Sequence, residues 1–304
     1  MEAKTKRFEV VCFGSAVVDA FLKTDFKEDS KNIIIPFGCK MLMKDLYFEI
    51  GGGGTNTSVA FSRLGLRTGY IGKIGNDEYG EKVLDLLKKE KITFLGNKVK
   101  GETNGFSVVL VSKKLNRSIL TYKGINNEIM DNDVKKFQTN LLYLSSLMEK
   151  SFKTQISLAK KLKKKGTKIA FNPSEYLIKE VKLNDFLKLC DILIVNKEEA
   201  GLLTKKKNKL KGISEMGPTI VVITDERRRV YCYGSQTKKT YSIDPPKLKI
   251  VEKTGAGDAF SAGFVAGLIK KKPIEYCLKL GVREASAVIK HIGAKNNLLK
   301  MKLK

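Results

Sequence analysis

Short runs rich in β-branched and aromatic residues alternate with stretches of helical periodicity along most of the chain. Phe8-Glu-Val-Val-Cys-Phe, Thr167-Lys-Ile-Ala-Phe, Asp191-Ile-Leu-Ile-Val-Asn and Ile220-Val-Val-Ile read as strands, and helical segments fall near Leu183 to Leu189 and from Lys197 onward. Strand and helix in turn predict an α/β fold with a central, mostly parallel sheet and crossover helices. Two stretches break the rhythm. Residues 31–50, and residues 99–124 with Phe106-Ser-Val-Val-Leu-Val and Ser118-Ile-Leu-Thr-Tyr, read as strands with no helix between them. They predict a small sheet projecting from the body as a lid. With no internal repeat and no low-complexity linker, residues 1–304 are expected to form a single domain carrying these lid insertions.

Ligands of open α/β sheets sit beyond the carboxyl ends of the strands. Three polar motifs fall at such ends: Gly14 to Asp19, Asn172-Pro-Ser, and Asn196 to Glu199. Two glycine clusters mark helix starts. Gly51-Gly-Gly-Gly-Thr-Asn-Thr-Ser precedes the amphipathic Val59-Ala-Phe-Ser-Arg-Leu, and Thr254-Gly-Ala-Gly-Asp-Ala-Phe runs into the apolar helical pattern from Phe260. Unpaired amides and the positive end of the helix dipole at Gly255, Ala256 and Gly257 suit a phosphate or a developing negative charge, and Asp258 stands beside them as a carboxylate. An isolated acidic residue in a first turn is also ordinary helix capping, so other motifs must decide between the two. Gly75-Asn-Asp-Glu-Tyr-Gly-Glu-Lys lacks the Gly-Lys-Ser/Thr of a Walker loop, and no Gly-x-Gly-x-x-Gly follows a strand.

Composition narrows the choices. At 42% hydrophobic the 304-residue chain can bury a substantial core, and its apolar runs are too short to cross a bilayer. The first residues form no leader pattern, so a cytoplasmic protein is expected. The five cysteines are scattered with no Cys-x-x-Cys pair and suggest neither a disulfide framework nor a zinc site, and His291 as the only histidine excludes a histidine-based metal site and a histidine triad. A net charge of +26 raises nucleic-acid binding. Its lysines, however, come in bursts (Lys160 to Lys165, Lys205 to Lys211, Lys270 to Lys272) without interleaved aromatics, the mark of solvated helix faces.

Taken together, the motifs resemble the ribokinase-like (PfkB) family of carbohydrate and nucleoside kinases over nearly the whole chain. One family signature is similar to Gly51-Gly-Gly-Gly-Thr-Asn through Gly65, Gly72-Lys-Ile-Gly-Asn-Asp and Tyr79-Gly80; the other is similar to Glu252-Lys-Thr-Gly-Ala-Gly-Asp-Ala-Phe-Ser-Ala-Gly-Phe. The resemblance implies a three-layer α/β/α body with a β lid, and transfer of the γ-phosphoryl group of ATP to a hydroxymethyl group. Asp258 would be the base, and Gly255, Ala256 and Gly257 the anion hole. Asp19, Gly52, Gly53 and Asn56 would bind the acceptor. Asn196 and Glu199 would organise Mg²⁺ through water near the nucleotide, with Thr224, Thr254 and Gly257 also on the nucleotide side. Glu252 and Thr254 stand where many relatives hold a monovalent cation, so the resemblance leaves K⁺ open, with Glu in place of the usual Asp. Lid sheets of relatives often pair into homodimers.

Three positions depart from the family pattern. Gly53 stands where members acting on sugar phosphates carry Lys, which points to an unphosphorylated acceptor. Thr224-Asp-Glu-Arg-Arg-Arg replaces the usual Thr-x-Gly near the nucleotide. Arg283-Glu284 falls where small residues commonly pack, and reads as a salt-bridged pair on a solvated face. The expected activity is therefore an ATP-dependent kinase of a free sugar or related carbohydrate. A nucleoside kinase is the alternative within the family, and a non-catalytic basic nucleic-acid-binding protein is the alternative outside it. Asn104 and Phe106 are candidate lid contributions to the acceptor site.

Overall fold

In the computed structural model, which describes residues 6–113, 116–225, 228–291 and 293–303, the apolar runs pair into one nine-stranded sheet. Arg7–Phe13 lies between Gln138–Ser145 and Thr68–Ile71, parallel to both. Parallel pairing continues on one side through Lys168–Asn172, Ile192–Asn196 and Ile220–Thr224, and on the other to Thr93–Phe94. The edge beyond Ile220–Thr224 is antiparallel, formed by Val230–Gly234 and Lys239–Ile243.

A strand covered by helices on both faces must be apolar at successive positions, and the chain sorts them by pleat. Val10 and Cys12 join one buried cluster with Phe61, Phe264 and Leu278; Val11 and Phe13 join another with Phe152, Leu177 and Phe186. The first cluster lies under helices Gly53–Arg63, Ala256–Ile269 and Ile274–Val288, the second under Glu149–Lys163, Glu175–Glu180 and Asn184–Leu187. The result is the expected three-layer α/β/α arrangement. The lysine bursts fall on exposed or half-buried positions of its outer helices and turns.

A separate four-stranded sheet has the order Arg117–Tyr122, Gly105–Val111, Val17–Lys23, Asp45–Gly51. Three of its strands come from the stretches expected to form a lid. The fourth, Val17–Lys23, is buried at its first five positions, and its apolar run gives no hint that it leaves the main sheet. One face of this small sheet is turned to solvent with apolar side chains: Phe48 is 49%, Leu120 63% and Tyr122 61% exposed.

Helices Ala256–Ile269 and Ile274–Val288 approach closely across glycines. A Cβ on Gly263 would lie 2.9 Å from the Leu280 carbonyl oxygen and 3.0 Å from Glu284 Cγ. That approach explains why the Arg283-Glu284 expectation fails for one partner. Arg283 is exposed, but Glu284 faces the helix pair and is fully buried. Its Oε2 accepts from the Leu299 amide at 3.3 Å, and Oε1 has no partner among the described residues.

Burial pushes the Glu284 carboxyl up to about 7, above the value the unfolded chain would have. The folded state therefore holds this proton while the unfolded state releases it, so stability falls as pH rises from about 4.5 through 7. Glu284→Gln removes the ionisation. It should stabilise the protein by about 1–3 kcal/mol at pH 8 and by little at pH 4.5, as read from urea midpoints at the two pH values. An equal gain at both pH values would mean that charge burial is not the cause.

Candidate active site

The lid strand Asp45–Gly51 enters helix Gly53–Arg63 through Gly52, whose φ of 95° lies in the left-handed region that favours glycine. The bare backbone lets this loop pack on Ser15 and Ala16, and Gly54 packs on Gly14. On the opposite wall Gly255, with φ 78°, starts helix Ala256–Ile269, and its missing Cβ admits Ala294. Two helix N-termini thus converge. They are joined by a hydrogen bond in which Asn56 Nδ2 donates to Asp258 Oδ2 at 2.7 Å.

Burial raises the Asp258 carboxyl above its ordinary pKa, while the Asn56 hydrogen bond and the positive charge of Lys295 pull it back. Asp19 follows the same logic. Burial raises it, and a hydrogen bond with Ser107 together with the Lys295 charge opposes the rise. Strand register sets Asp19 opposite Ser107, and Ser107 opposite Thr121, so these polar side chains form a rung across the lid sheet.

Asp19, Gly52, Gly53, Asn56 and Asp258 line one cavity of about 400 Å³, completed from the lid by Ser107, Ile119 and Thr121. Ser145 Oγ, on the same wall, is buried without a partner among the described residues, so a ligand hydroxyl could pair with it. A second cavity of about 650 Å³ has apolar walls from Leu248, Ile250, Phe260, Val282 and Ile289. Gly257, Asn196 and Thr224 border both cavities.

A Cβ on Gly257 would meet nothing within 4 Å, so the space above it is open. Among the described residues, the amides of Gly255, Gly257 and Asp258 find no acceptor, whereas the Ala256 amide donates to the Lys253 carbonyl at 3.2 Å. The left-handed turn at Gly255 bends the Ala256 N–H back onto Lys253. Of the three amides singled out in the sequence, those of Gly255 and Gly257 are without an acceptor among the described residues and that of Ala256 is engaged; the Asp258 amide is a further one without an acceptor.

Asn196 and Glu199 form a reciprocal cap at the start of helix Lys197–Leu203. The Glu199 amide donates to Asn196 Oδ1 at 2.8 Å, and the Asn196 amide donates to Glu199 Oε2 at 2.8 Å. Both residues also line the first cavity, and burial pushes the Glu199 carboxyl up to about 7. Thr224 Oγ1 lies 3.5 Å from the Val195 carbonyl oxygen, to which it donates. In the segment that follows, Asp225 pairs with Lys197 at 3.0 Å and Arg229 pairs bidentately with Asp244 at 2.8 and 2.7 Å; Glu226 and Arg227 lie outside the described residues.

Glu252 Oε1 accepts from the Thr254 amide at 2.6 Å, from the Thr254 hydroxyl, and from the guanidinium of Arg117. Arg117 comes from the lid edge strand Arg117–Tyr122, and neither it nor Lys295 stood out in the sequence. Among 58 Lys and Arg residues, a single functional cation carries no local signal. The two proposed lid contributors lie elsewhere. Asn104 is buried, accepting from the Gly75 amide at 2.9 Å and donating to Asp77, and Phe106 packs on Tyr79.

Comparison with known proteins accords with this geometry. Residues 7–301 match the family model of the pfkB family carbohydrate kinases. An uncharacterized sugar kinase of Archaeoglobus fulgidus is 30% identical over 79% of this chain and 98% of its own length, and a ribokinase of Haemophilus influenzae is 27% identical over 82% and 83%. The crystal structure of adenosine kinase from Sinorhizobium meliloti superposes with a TM-score of 0.81 at 23% identity, covering 96% of both chains. No described helix is long and apolar enough to cross a membrane. The chain belongs to the PfkB family of carbohydrate kinases, a phosphotransferase with an alcohol group as acceptor, for which the family implies ATP and Mg²⁺.

Proposed function

We propose that the protein transfers the γ-phosphoryl group of ATP to a hydroxymethyl group of a free sugar or closely related carbohydrate. The supporting observation is the position of Asp258, which lines the polar cavity next to Gly257, a residue that borders both cavities, and beside amides that lack acceptors. The acceptor occupies the polar cavity, where Asp19 takes hydrogen bonds from ring hydroxyls and Asn56 holds Asp258 in orientation. Asp258 accepts the hydroxymethyl proton as that oxygen attacks the γ-phosphorus. The new O–P bond forms as the bond to the bridging oxygen breaks, and ADP departs with the electron pair. The amides of Gly255, Gly257 and Asp258, at a helix N-terminus, stabilise the charge on the transferring group. The apolar walls around Phe260 and Ile289 suit the base of the nucleotide.

Among the described residues, no cluster of three His, Cys, Asp or Glu side chains could hold a metal by itself. Asn196 and Glu199 fit a looser hold through water, since a carboxyl with a pKa raised to about 7 gains by facing a cation. Bound Mg²⁺ would neutralise phosphate charge. At Glu252, Arg117 rather than K⁺ carries the positive charge in this reading, because Oε1 already accepts from Arg117 and twice from Thr254.

A nucleoside acceptor is the second reading, favoured by Ile119 and Tyr176 in the polar cavity as a platform for a base. The cavity's volume of about 400 Å³ and its hydroxyl-rich wall favour the smaller, more polar sugar. The solvent-facing apolar skin of the lid supports a homodimer through that sheet.

In an acceptor screen following ADP release with ATP and Mg²⁺ across free sugars, sugar acids, sugar phosphates and nucleosides, a free sugar should turn over. Asp258→Asn should lower kcat about 100-fold or more while nucleotide binding persists. Near-normal turnover in Asp258→Asn would remove it from the base role. Gly257→Val fills the open space between the cavities, so it should weaken nucleotide binding and turnover together by about 10-fold or more. Unchanged nucleotide affinity would refute the anion hole. Leu120→Glu with Tyr122→Glu should convert a dimer to a monomer in sedimentation, and a wild-type monomer at the same concentration would refute lid pairing.

A further inference from the structure

Lys295 is a cation 7% exposed at the centre of a neutralising shell. It belongs to the turn Gly293-Ala294-Lys295, between helix Ile274–Val288 and the C-terminal segment. Its Nζ donates to Asn56 Oδ1 at 2.6 Å and to the Ile50 carbonyl oxygen, while its own carbonyl accepts from Arg63 at 2.7 Å. Burying an ammonium is costly unless it is paired and hydrogen-bonded. The groups facing it are Asp19 and Glu49 from the lid strands, Asp258 from helix Ala256–Ile269, and Arg63, the one like charge, from helix Gly53–Arg63. Near Asp258, Cys12 and Tyr143 are also buried, and burial keeps both neutral at ordinary pH.

This geometry selects one amide orientation. Asn56 presents its oxygen to Lys295 and therefore its nitrogen to Asp258. Without a donor at Lys295, the Asn56 amide could turn its oxygen toward the carboxylate and repel it. Resting on the function proposed above, we propose that Lys295 is a positioning residue for the kinase reaction, one that fixes Asn56 as a donor to Asp258 and supplies the buried positive charge that keeps this carboxylate ionised. The same contact to the Ile50 carbonyl ties the turn to the start of the glycine loop, so base and acceptor loop share one anchor.

Removing a neighbouring cation disfavours the carboxylate, so the Asp258 pKa rises and the acid limb of the kcat/KM profile moves to higher pH. The test uses the full chain with Lys295→Met, which removes charge and hydrogen bond, and Lys295→Gln, which keeps a donor for Asn56. Lys295→Met should lose roughly 10- to 100-fold in kcat with the KM for ATP little changed. Both variants should shift the acid limb upward by about one pH unit. Lys295→Gln should recover part of the lost kcat at alkaline pH.

A folded Lys295→Met with wild-type kcat and an unmoved acid limb would overturn the proposal. If Lys295→Met fails to fold, the Lys295→Gln pH profile alone decides, and an unmoved limb there has the same meaning. In an Asn56→Ala background, loss of Lys295 should add less than about threefold to the kcat defect; a full independent loss would make its role structural only. Asp258→Asn separates the two readings. A dead Asp258→Asn beside a normal Lys295→Met leaves the kinase assignment intact, whereas a fully active Asp258→Asn refutes the base assignment and this proposal with it.

Discussion

Two helices point their amino ends at one spot, and that convergence governs the rest of the molecule. Helices Gly53–Arg63 and Ala256–Ile269 bring two positive dipole ends and several unpaired amides into a small space. Such an arrangement needs negative charge to be stable. Asp258 supplies some of it, and the Asn56–Asp258 hydrogen bond locks the two helix ends together. In the proposed function the remaining donors are what a phosphoryl group would satisfy, so the feature that demands charge in the resting protein would also suit a phosphate.

That convergence requires backbone where side chains would ordinarily stand. Gly52 and Gly255 take left-handed conformations, and the second of them meets Ala294 at van der Waals range only because it has no Cβ. The close crossing of Ala256–Ile269 with Ile274–Val288 extends the same economy away from the site, with Gly263 set against Leu280 and Glu284. The Glu284 carboxyl buried at that crossing is a cost accepted by the fold, since one oxygen has no partner among the described residues.

Charge is distributed on two scales. The large excess of lysine sits mostly on solvated positions, where each residue contributes little to fold or chemistry. Two cations act differently because tertiary structure gives them specific partners: Lys295, buried beneath the glycine loop, and Arg117, which crosses from the exposed lid edge to Glu252 and Thr254. The lid thereby contributes to both cavities, with Ser107 and Thr121 facing the polar one and Arg117 bordering the apolar one.

Local pattern was enough to specify the sheet body and the two glycine-started helices. Period-two burial and runs such as Ile192–Asn196 reflect backbone geometry that each segment carries within itself, and Gly-Ala-Gly-Asp announces its turn and carboxylate in adjacent residues. The sequence alone could not assign Val17–Lys23 to the lid, because a central strand of a small sheet is as apolar as a strand of the main one. It could not bury Glu284, whose environment comes from a second helix, nor single out Lys295, whose partners Asn56 and Ile50 lie more than two hundred residues away. Propensity and periodicity are short-range properties; the environment of a charge depends on which distant segments surround it, and only packing fixes that.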